Sequence, residues 1–449
     1  MLSTRQLFGT DGIRGLANKA PITPEMMLQI AMAVATKFCD KNHRHTAIIG
    51  KDTRLSGYMI ETSLTAGFVA MGMDVSLLGP IPTPSVAMLT RSMRADLGVM
   101  ISASHNLFED NGVKFFGPDG YKLSDAAEFE IEAILNKGQY DVAPPHDIGK
   151  VRRLDDAGGR YVEFVKSTLP RQLRLDGIKI VIDCANGAAY KVAPQILWEL
   201  GATLIHIGTQ PDGTNINAGC GATSPKLMAE TVVKSKAHLG ISLDGDADRL
   251  IMADEKGTIV SGDHLMAILA KSMHEQGLLT HNTVVATQMS NLGFERFLKG
   301  RGINLIRTDV GDRYVIEAMQ QHGYTLGGEQ SGHLILSDYS STGDGLLSAL
   351  QILRIFIEHQ KPFSELATVF NSVPQLLRNV RVSERELLNQ TTIVNAIEVA
   401  KQKLETNQGR LLVRFSGTEP LLRLMGEADD LAALIKIIDD LEQVIVKTS

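Results

Sequence analysis

One pattern occurs three times in this 449-residue chain and confines it to the α/β class: a short apolar run, a helical stripe, then a second apolar run. The first copy runs from Thr46-Ala47-Ile48-Ile49-Gly50 to Met73-Asp74-Val75-Ser76-Leu77-Leu78-Gly79. Between them, Ile60, Leu64, Phe68 and Met71 recur at the three- to four-residue spacing of a buried helical face. The second copy joins Ile178-Lys179-Ile180-Val181-Ile182-Asp183 to Ala202-Thr203-Leu204-Ile205-His206-Ile207-Gly208 through a helix carrying Ile196, Leu197 and Leu200. The third joins Thr283-Val284-Val285-Ala286-Thr287 to Ile303-Asn304-Leu305-Ile306-Arg307 through Leu292, Phe294, Phe297 and Leu298. Gly72, Gly201 and Gly302 stand near the helix ends, where a left-handed cap is expected. Short apolar strands alternating with helices predict parallel sheets covered on both faces. The copies lie roughly 100 residues apart, about one domain each.

The C-terminal part departs from this pattern. Val380-Arg381-Val382 and Leu411-Leu412-Val413-Arg414-Phe415 read as strands. A last helix from Asp429 to Val446 places Leu431, Leu434, Ile435, Ile438, Leu441 and Ile445 on one side. The expected organisation is three similar mixed α/β domains, 1–155, 156–255 and 256–373, followed by a smaller α+β domain, 374–449. The boundaries fall near Asp155 to Gly159, Asp254 to Gly257 and Pro374.

A net charge of −6 argues against a nucleic-acid partner, which leaves a basic footprint. No apolar stretch reaches the length of about 18 residues needed to span a membrane, and the first residues lack the apolar core of a signal peptide. Cys39, Cys184 and Cys220 are odd in number and widely spaced, which excludes a disulfide framework or CxxC-type zinc site and fits a reducing cytoplasm.

Chemistry concentrates in a few segments. Ile101-Ser102-Ala103-Ser104-His105-Asn106 follows the apolar strand Asp96 to Ile101, so its hydroxyls lie beyond the carboxyl end of a parallel strand, where α/β folds bind ligands. Ser102 and Ser104 compete as nucleophile or phosphate carrier, and spacing does not separate them; the bland alternative is a polar turn. His105 and Lys114 are near enough in sequence to neutralise a phosphate or shuttle a proton. After Leu239-Gly240-Ile241-Ser242-Leu243 comes Asp244-Gly245-Asp246-Ala247-Asp248-Arg249. An extended loop would project all three aspartates to one side, giving a hard cation the oxygen ligands it prefers. A cation beside a phosphorylated serine would make the phosphoryl group transferable. The competing chemistry is an aspartyl phosphate on Asp244, and the bland reading is an acidic surface turn.

Gly327-Gly328-Glu329-Gln330-Ser331-Gly332-His333 sets an acceptor and a donor between glycines, suited to sugar hydroxyls or simply to a loop. Arg414-Phe415-Ser416-Gly417-Thr418-Glu419-Pro420 with Arg423 can wrap a phosphate dianion. Phe8-Gly9-Thr10-Asp11-Gly12-Ile13-Arg14-Gly15 and Gly50-Lys51-Asp52-Thr53-Arg54 read equally as lining the same cleft or as turns with structural ion pairs.

These five segments, FGTDGIRG, SASHN, DGDADR, GGEQSGH and RFSGTEP, resemble in identity and order the α-D-phosphohexomutase superfamily over the whole chain. The opening Leu7 to Gly15, the Ile101 to Asn106 wording and Cys184-Ala185-Asn186-Gly187-Ala188 most resemble its members that act on glucosamine phosphates. The resemblance implies four domains around a central cleft and an isomerase that moves a phosphoryl group between the 6- and 1-positions of glucosamine phosphate. That reaction serves UDP-N-acetylglucosamine and cell-wall precursor synthesis. It implies that Ser104, not Ser102, carries the phosphate as phosphoserine. One Mg²⁺ per subunit is implied on Asp244, Asp246, Asp248 and a Ser104 phosphate oxygen, with glucosamine 1,6-bisphosphate as the intermediate. Catalytic roles fall to Ser104, His105, Lys114, Arg249 and Arg14, with His105, Lys114 and His333 open as general acid or base. Glu329, Ser331 and His333 would meet the sugar, and Arg414, Ser416, Gly417, Thr418 and Arg423 its distal phosphate, the C-terminal domain closing to exclude water.

The implied partner is a small sugar phosphate, with no nucleic acid and no membrane; the resemblance allows a homodimer. The alternatives are a phosphomannomutase or phosphoglucomutase, and a non-catalytic sugar-phosphate sensor. Gln330 in the sugar loop, with the whole-chain resemblance, favours glucosamine over glucose or mannose. Two departures stand out. Leu107 replaces the usual proline after Ser-His-Asn, which frees one φ angle and restores an N–H. Ala247 replaces the usual glycine between the second and third aspartates, and a left-handed conformation there would be costly.

Overall fold

The computed structural model describes residues 7–9, 11–39, 42–382, 388, 390–415 and 421–448. It divides into two compact units, 1–287 with 306–368, and 288–305 with 369–449.

The first unit contains the repeated strand–helix–strand copies as two parallel sheet cores. In the first, strands Thr46–Lys51 and Asp74–Pro80 run parallel, joined by helix Gly57–Ala70, with Ile60, Leu64 and Phe68 fully buried. In the second, Lys179–Asp183 and Thr203–Ile207 run parallel around helix Val192–Glu199. Gly72, Gly201 and Gly302 take φ of +89°, +102° and +71°, the left-handed turn that leaves the helix.

The sheets are mixed rather than purely parallel. The first orders its strands Ile13–Leu16, Asp110–Phe116, Leu97–Ile101, Thr46–Lys51, Asp74–Pro80, Val151–Arg153. Its strands Ile13–Leu16 and Asp110–Phe116 pair antiparallel. The second sheet extends antiparallel from Leu239–Leu243 to Leu250–Asp254 and then Ile259–Val260. The third orders Asn304–Thr308, Thr283–Thr287, Leu326–Gly328, Leu334–Leu336, the last pair antiparallel. Apart from Ile13–Leu16, which pairs with a strand far along the chain, the antiparallel additions follow short reversals instead of helical crossovers, so periodicity alone does not reveal them. Three of the reversals carry segments marked out for chemistry: the serine loop between Leu97–Ile101 and Asp110–Phe116, the aspartate loop between Leu239–Leu243 and Leu250–Asp254, and the sugar loop between Leu326–Gly328 and Leu334–Leu336.

The third helical stripe forms as Leu292–Lys299 but belongs to the second compact unit. There Asn291 Nδ2 donates to the Val373 carbonyl and its Oδ1 accepts from Val373 N–H, both at 2.9 Å. Leu292 N–H donates to buried Glu427 at 3.1 Å. The same unit holds an antiparallel three-stranded sheet, Gln375–Arg381, Leu421–Glu427, Arg410–Phe415, and helices Thr391–Thr406 and Leu431–Thr448. On the last helix Leu434, Ile438, Leu441 and Ile445 are buried as the stripe requires. Leu431 and Ile435 are 50% and 38% exposed, and Ile437 is buried in their stead, because the face turned to the sheet is narrower than the sequence stripe. Among the described residues no helix is long and apolar enough to cross a membrane.

Candidate active site

Ser104 sits three residues past the strand Leu97–Ile101, almost completely buried, at φ +51°. That left-handed conformation costs a non-glycine residue about 1–2 kcal/mol, and it persists because neighbours over-determine it. Ser104 N–H donates to Ser102 Oγ at 2.8 Å, and Ser102 Oγ donates to Asp52 Oδ2 at 2.6 Å. Arg54 Nε donates to the same Asp52 oxygen at 2.8 Å. The Arg54 guanidinium then reaches the carbonyls of Ser104 at 2.9 Å, Asn106 at 2.8 Å, Asp110 at 3.1 Å, and Leu107. Asn217 Nδ2 donates to the Ser104 and Asn106 carbonyls, both at 2.9 Å. Lys51 pairs with Glu61 at 2.6 Å. The Gly50 to Arg54 segment is thus a frame behind the serine loop. Ser102, the rival nucleophile, is fully buried with its hydroxyl engaged on both sides. Leu107 is half exposed.

Ser104 Oγ donates to Asp244 Oδ2 at 2.7 Å, so residues 140 positions apart meet. The carboxylates of Asp244, Asp246 and Asp248 converge with donor oxygens within 4.8 Å of one another, all three buried. The extended loop expected for them is not what brings them together. The chain turns, with Ala247 N–H donating to the Asp244 carbonyl at 3.1 Å and Ala247 at φ +60°. A turn gathers alternate side chains more tightly than a strand, whose successive same-side residues stand about 7 Å apart. Ala247 therefore adopts the costly conformation. Its carbonyl accepts from Gly345 N–H at 3.0 Å, and Thr83 donates to Asp246 twice, N–H to C=O at 2.9 Å and Oγ1 to Oδ2 at 2.6 Å. Gly245 must be glycine: a Cβ would lie 2.5 Å from the Ser104 carbonyl.

The charge balance fits a cation. Burial, with Asp248 and Asp246 alongside, pushes the Asp244 carboxyl up to about 8. Asp246 Oδ1 is buried and accepts no hydrogen bond. Asp248 Oδ1 is likewise buried without one, and converging hard oxygens, two of them without a partner, are the donor set of a hard divalent ion.

Lys114, on the strand Asp110–Phe116, is buried between Asp246 at 2.9 Å, Asp11 at 3.1 Å and Asp248 at 3.2 Å. Burial opposes its charge, but these three carboxylates hold its pKa well above the ordinary value. Burial likewise opposes ionisation of Asp248, but Lys114 and His333 keep it well below the carboxylate range. His105 Nδ1 lies 3.3 Å from Ser104 Oγ. Burial, then Arg249 and Arg14, lower the His105 pKa to about 4, so its ring is neutral near pH 7. Arg249 N–H donates to Asp244 Oδ1 at 3.1 Å, and Arg14 pairs with Asp11. The Nε atoms of Arg14 and Arg249 are buried without a hydrogen-bond partner, each fork held near the triad.

Glu329 and Ser331 lie together in the sugar loop, Ser331 Oγ donating to Glu329 Oε2 at 3.4 Å, with Gly311 N–H on Glu329 Oε1 at 3.2 Å. Gln330 accepts at its carbonyl from Gly262 N–H at 3.1 Å. His333 is buried and takes no exposed position in this loop. Its Nδ1 stands 3.7 Å from Asp248 and its Nε2 accepts from Gly343 N–H at 3.2 Å. In the second unit Arg414 and Arg423 are directly opposed on neighbouring antiparallel strands. Ser416, Gly417 and Thr418 lie outside the described residues.

Several supporting groups carry no signal in the sequence. Thr83 looks like an ordinary Thr-Pro helix start. Asn217 stands in an irregular loop, and Lys122 with Asp312, which bridge to Asp11, are unremarkable surface charges on paper. Asp11 itself lay inside a quoted motif.

Four family models fall on the chain in order. Phosphoglucomutase/phosphomannomutase alpha/beta/alpha domains I, II and III match residues 5–141, 159–257 and 261–373, and the C-terminal domain of the same family matches 377–444. The chain belongs to the phosphoglucomutase/phosphomannomutase family. Within that family it is 56% identical to a phosphoglucosamine mutase of Rhodospirillum rubrum, covering 100% of both chains. It is 58% identical to a phosphoglucosamine mutase of Granulibacter bethesdensis, over 99% of this chain and 97% of that one. Among solved structures, a phosphoglucomutase/phosphomannomutase family protein from Burkholderia thailandensis shares the fold at TM-score 0.82 and 22% identity, covering 98% of this chain and 97% of that one. An Aspergillus fumigatus N-acetylphosphoglucosamine mutase, solved with GlcNAc-6P and magnesium, shares it at TM-score 0.67 and 16% identity, over 99% and 96%. Three α/β/α domains and a C-terminal domain are thus the architecture of this family and of this chain.

Proposed function

We propose that this protein interconverts glucosamine 6-phosphate and glucosamine 1-phosphate through phosphorylated Ser104 and a glucosamine 1,6-bisphosphate, supplying UDP-N-acetylglucosamine and cell-wall precursors. The observation that carries the chemistry is Ser104 Oγ at 2.7 Å from a buried three-aspartate cluster. The choice of sugar rests on relatives more than half identical over the full chain.

The free hydroxyl of the bound hexosamine phosphate attacks the phosphorus on Ser104. The new P–O bond forms as the P–Oγ bond breaks, and the opposite phosphate later returns to Ser104 by the reverse step. His105, neutral and 3.3 Å from Ser104 Oγ, is suited to accept the hydroxyl proton and return it. Lys114, held protonated among carboxylates, is a fixed positive charge in this reading and not the base. Arg14 and Arg249 offer donors to the transferring phosphoryl oxygens. Mg²⁺ on Asp244, Asp246, Asp248 and a phosphoserine oxygen would neutralise charge on that group. Glu329 and Ser331 are assigned to sugar hydroxyls, His333 to orienting Asp248, and Arg414, Ser416, Gly417, Thr418 and Arg423 to the non-reacting phosphate. A cytoplasmic location agrees with the odd number and wide spacing of Cys39, Cys184 and Cys220.

Comparison of kcat/KM for glucosamine 6-phosphate, glucose 6-phosphate and mannose 6-phosphate, using Mg²⁺-loaded, serine-phosphorylated protein, tests the proposal. Preference for the amino sugar is expected. Preference for glucose or mannose phosphate would keep the phosphoserine chemistry and overturn the pathway, and no turnover on any would favour a sensor.

A further inference from the structure

At the amino-terminal end of the first sheet, remote from the aspartate cluster, three metal-binding side chains meet. His43 and His45 are two residues apart just before strand Thr46–Lys51, and Asp96 immediately precedes the parallel neighbour Leu97–Ile101. Asp96 Oδ1 lies 2.9 Å from His43 Nε2 and 3.3 Å from His45 Nδ1. All three donor atoms fall within 4.8 Å of one another. Bonds of 2.0–2.1 Å to a tetrahedral ion place its ligand atoms about 3.3 Å apart, so the donors need only small adjustments to share one ion.

The surroundings hold this geometry. Asp96 Oδ2 accepts from Thr46 N–H at 2.8 Å, and Asp96 N–H donates to the Thr46 carbonyl at 3.0 Å, which fixes the carboxylate plane. Supporting bonds of this kind orient metal ligands. The intervening Arg44 is engaged elsewhere, with Asp74 at 2.9 Å and the carbonyls of Asp147 and Ile148. The His45 side chain is 6% exposed and that of His43 55%, so the cluster is open to solvent at His43.

We propose that His43, His45 and Asp96 form a second metal site, selective for a borderline divalent cation such as Zn²⁺ or Co²⁺. Two imidazole nitrogens with one carboxylate suit these ions and not Mg²⁺, which takes oxygen ligands. The site stands at the opposite end of strand Thr46–Lys51 from the serine loop, about 20 Å away at ~3.3 Å per residue. Its occupant therefore takes no part in phosphoryl transfer. It ties together the starts of two adjacent strands and stabilises the folded chain by mass action.

The test is calorimetric titration of the full chain with Zn²⁺ in saturating Mg²⁺, which fills the all-oxygen cluster first. One Zn²⁺ per chain is expected, with a rise in Tm. His43→Ala and Asp96→Asn should each weaken Zn²⁺ at least about tenfold and abolish the Tm rise, while zinc-free turnover of His43→Ala stays at the wild-type level. Equal Zn²⁺ affinity in wild type and His43→Ala, or no Zn²⁺ bound by wild type under Mg²⁺, would overturn the proposal. His43 is mostly exposed, so its replacement leaves the core intact; His43→Gln repeats the test with a side chain of similar size.

Discussion

The serine loop and the aspartate loop each follow a buried strand, and each contains a non-glycine residue in the left-handed region, yet they are held by different means. Ser104, at φ +51°, is fixed by side chains: Ser102 with Asp52 on its N–H, Arg54 and Asn217 on its carbonyl. Ala247, at φ +60°, is fixed mostly by main chain: Gly345 N–H on its carbonyl, its own N–H on Asp244, and Ala188 N–H on the carbonyl of Gly245. A loop held by side chains loses its geometry when one of them is changed. A loop held by backbone depends on the packing of whole elements and tolerates exchange at the strained position. The strain also differs in meaning, since Ser104 is the residue assigned to reaction while Ala247 only spaces two carboxylates.

The largest effect expected is from Ser104→Ala, which should lower turnover by ~10³-fold or more and abolish phosphate incorporation into the chain. Phosphate still found on Ser102 by mass spectrometry would reverse the roles given to the two serines.

Arg54→Ala comes next. Removing the clamp displaces the serine loop without touching substrate, so kcat should drop about 10²-fold with little change in KM. Arg54→Lys should restore only part of the loss, because one ammonium cannot replace a planar fork serving four carbonyls. Near-normal kcat in a well-folded Arg54→Ala protein would end the distinction between the two loops.

The frame of the aspartate loop should reveal itself by titration. Asp344 caps the helix Gly345–His359, whose first N–H holds Ala247, and it accepts from Tyr161 Oη at 2.8 Å. Burial raises its pKa from 3.8 to about 6. Between these values the folded chain retains a proton that the unfolded chain releases, so this group's contribution to stability falls as pH rises from about 4 to about 6. The loss amounts to about 2–3 kcal/mol. Chemical denaturation across that range should show a flatter profile for Asp344→Asn; identical profiles would remove Asp344 from the titrating frame.

The smallest effect belongs to Ala247→Gly. Relief of the left-handed strain and the extra freedom glycine gains when unfolded nearly offset each other, so stability should shift by less than about 1 kcal/mol. Turnover should change little. A loss above about 2 kcal/mol in urea unfolding would mean that the buried Ala247 methyl group, and not the main chain, fixes this loop.

Much of this was legible in the chain. Helix and strand repeats declare themselves locally because burial imposes a period on side chains, so Ile60, Leu64 and Phe68 announced their helix before any contact was known. The antiparallel strand Ile13–Leu16 hid inside a glycine-rich loop motif because its four residues are too few to show alternation. The stripe on the last helix misassigned Leu431 and Ile435, since a sequence gives the apolar arc but not the width of the sheet it covers.

The sequence by itself determined which residue types carry chemistry, their order, and the strand ends on which most of them stand, because these follow from local pattern and motif. Only the tertiary structure decided which groups meet. It brought Ser104 to Asp244 across 140 positions, buried Lys114 among Asp11, Asp246 and Asp248, and turned Asp52, Ser102 and Arg54 from cleft candidates into the frame behind the serine. Contacts of that range depend on how separate sheets pack. Packing is a collective balance of burial and hydrogen bonding, which no short stretch of sequence encodes alone.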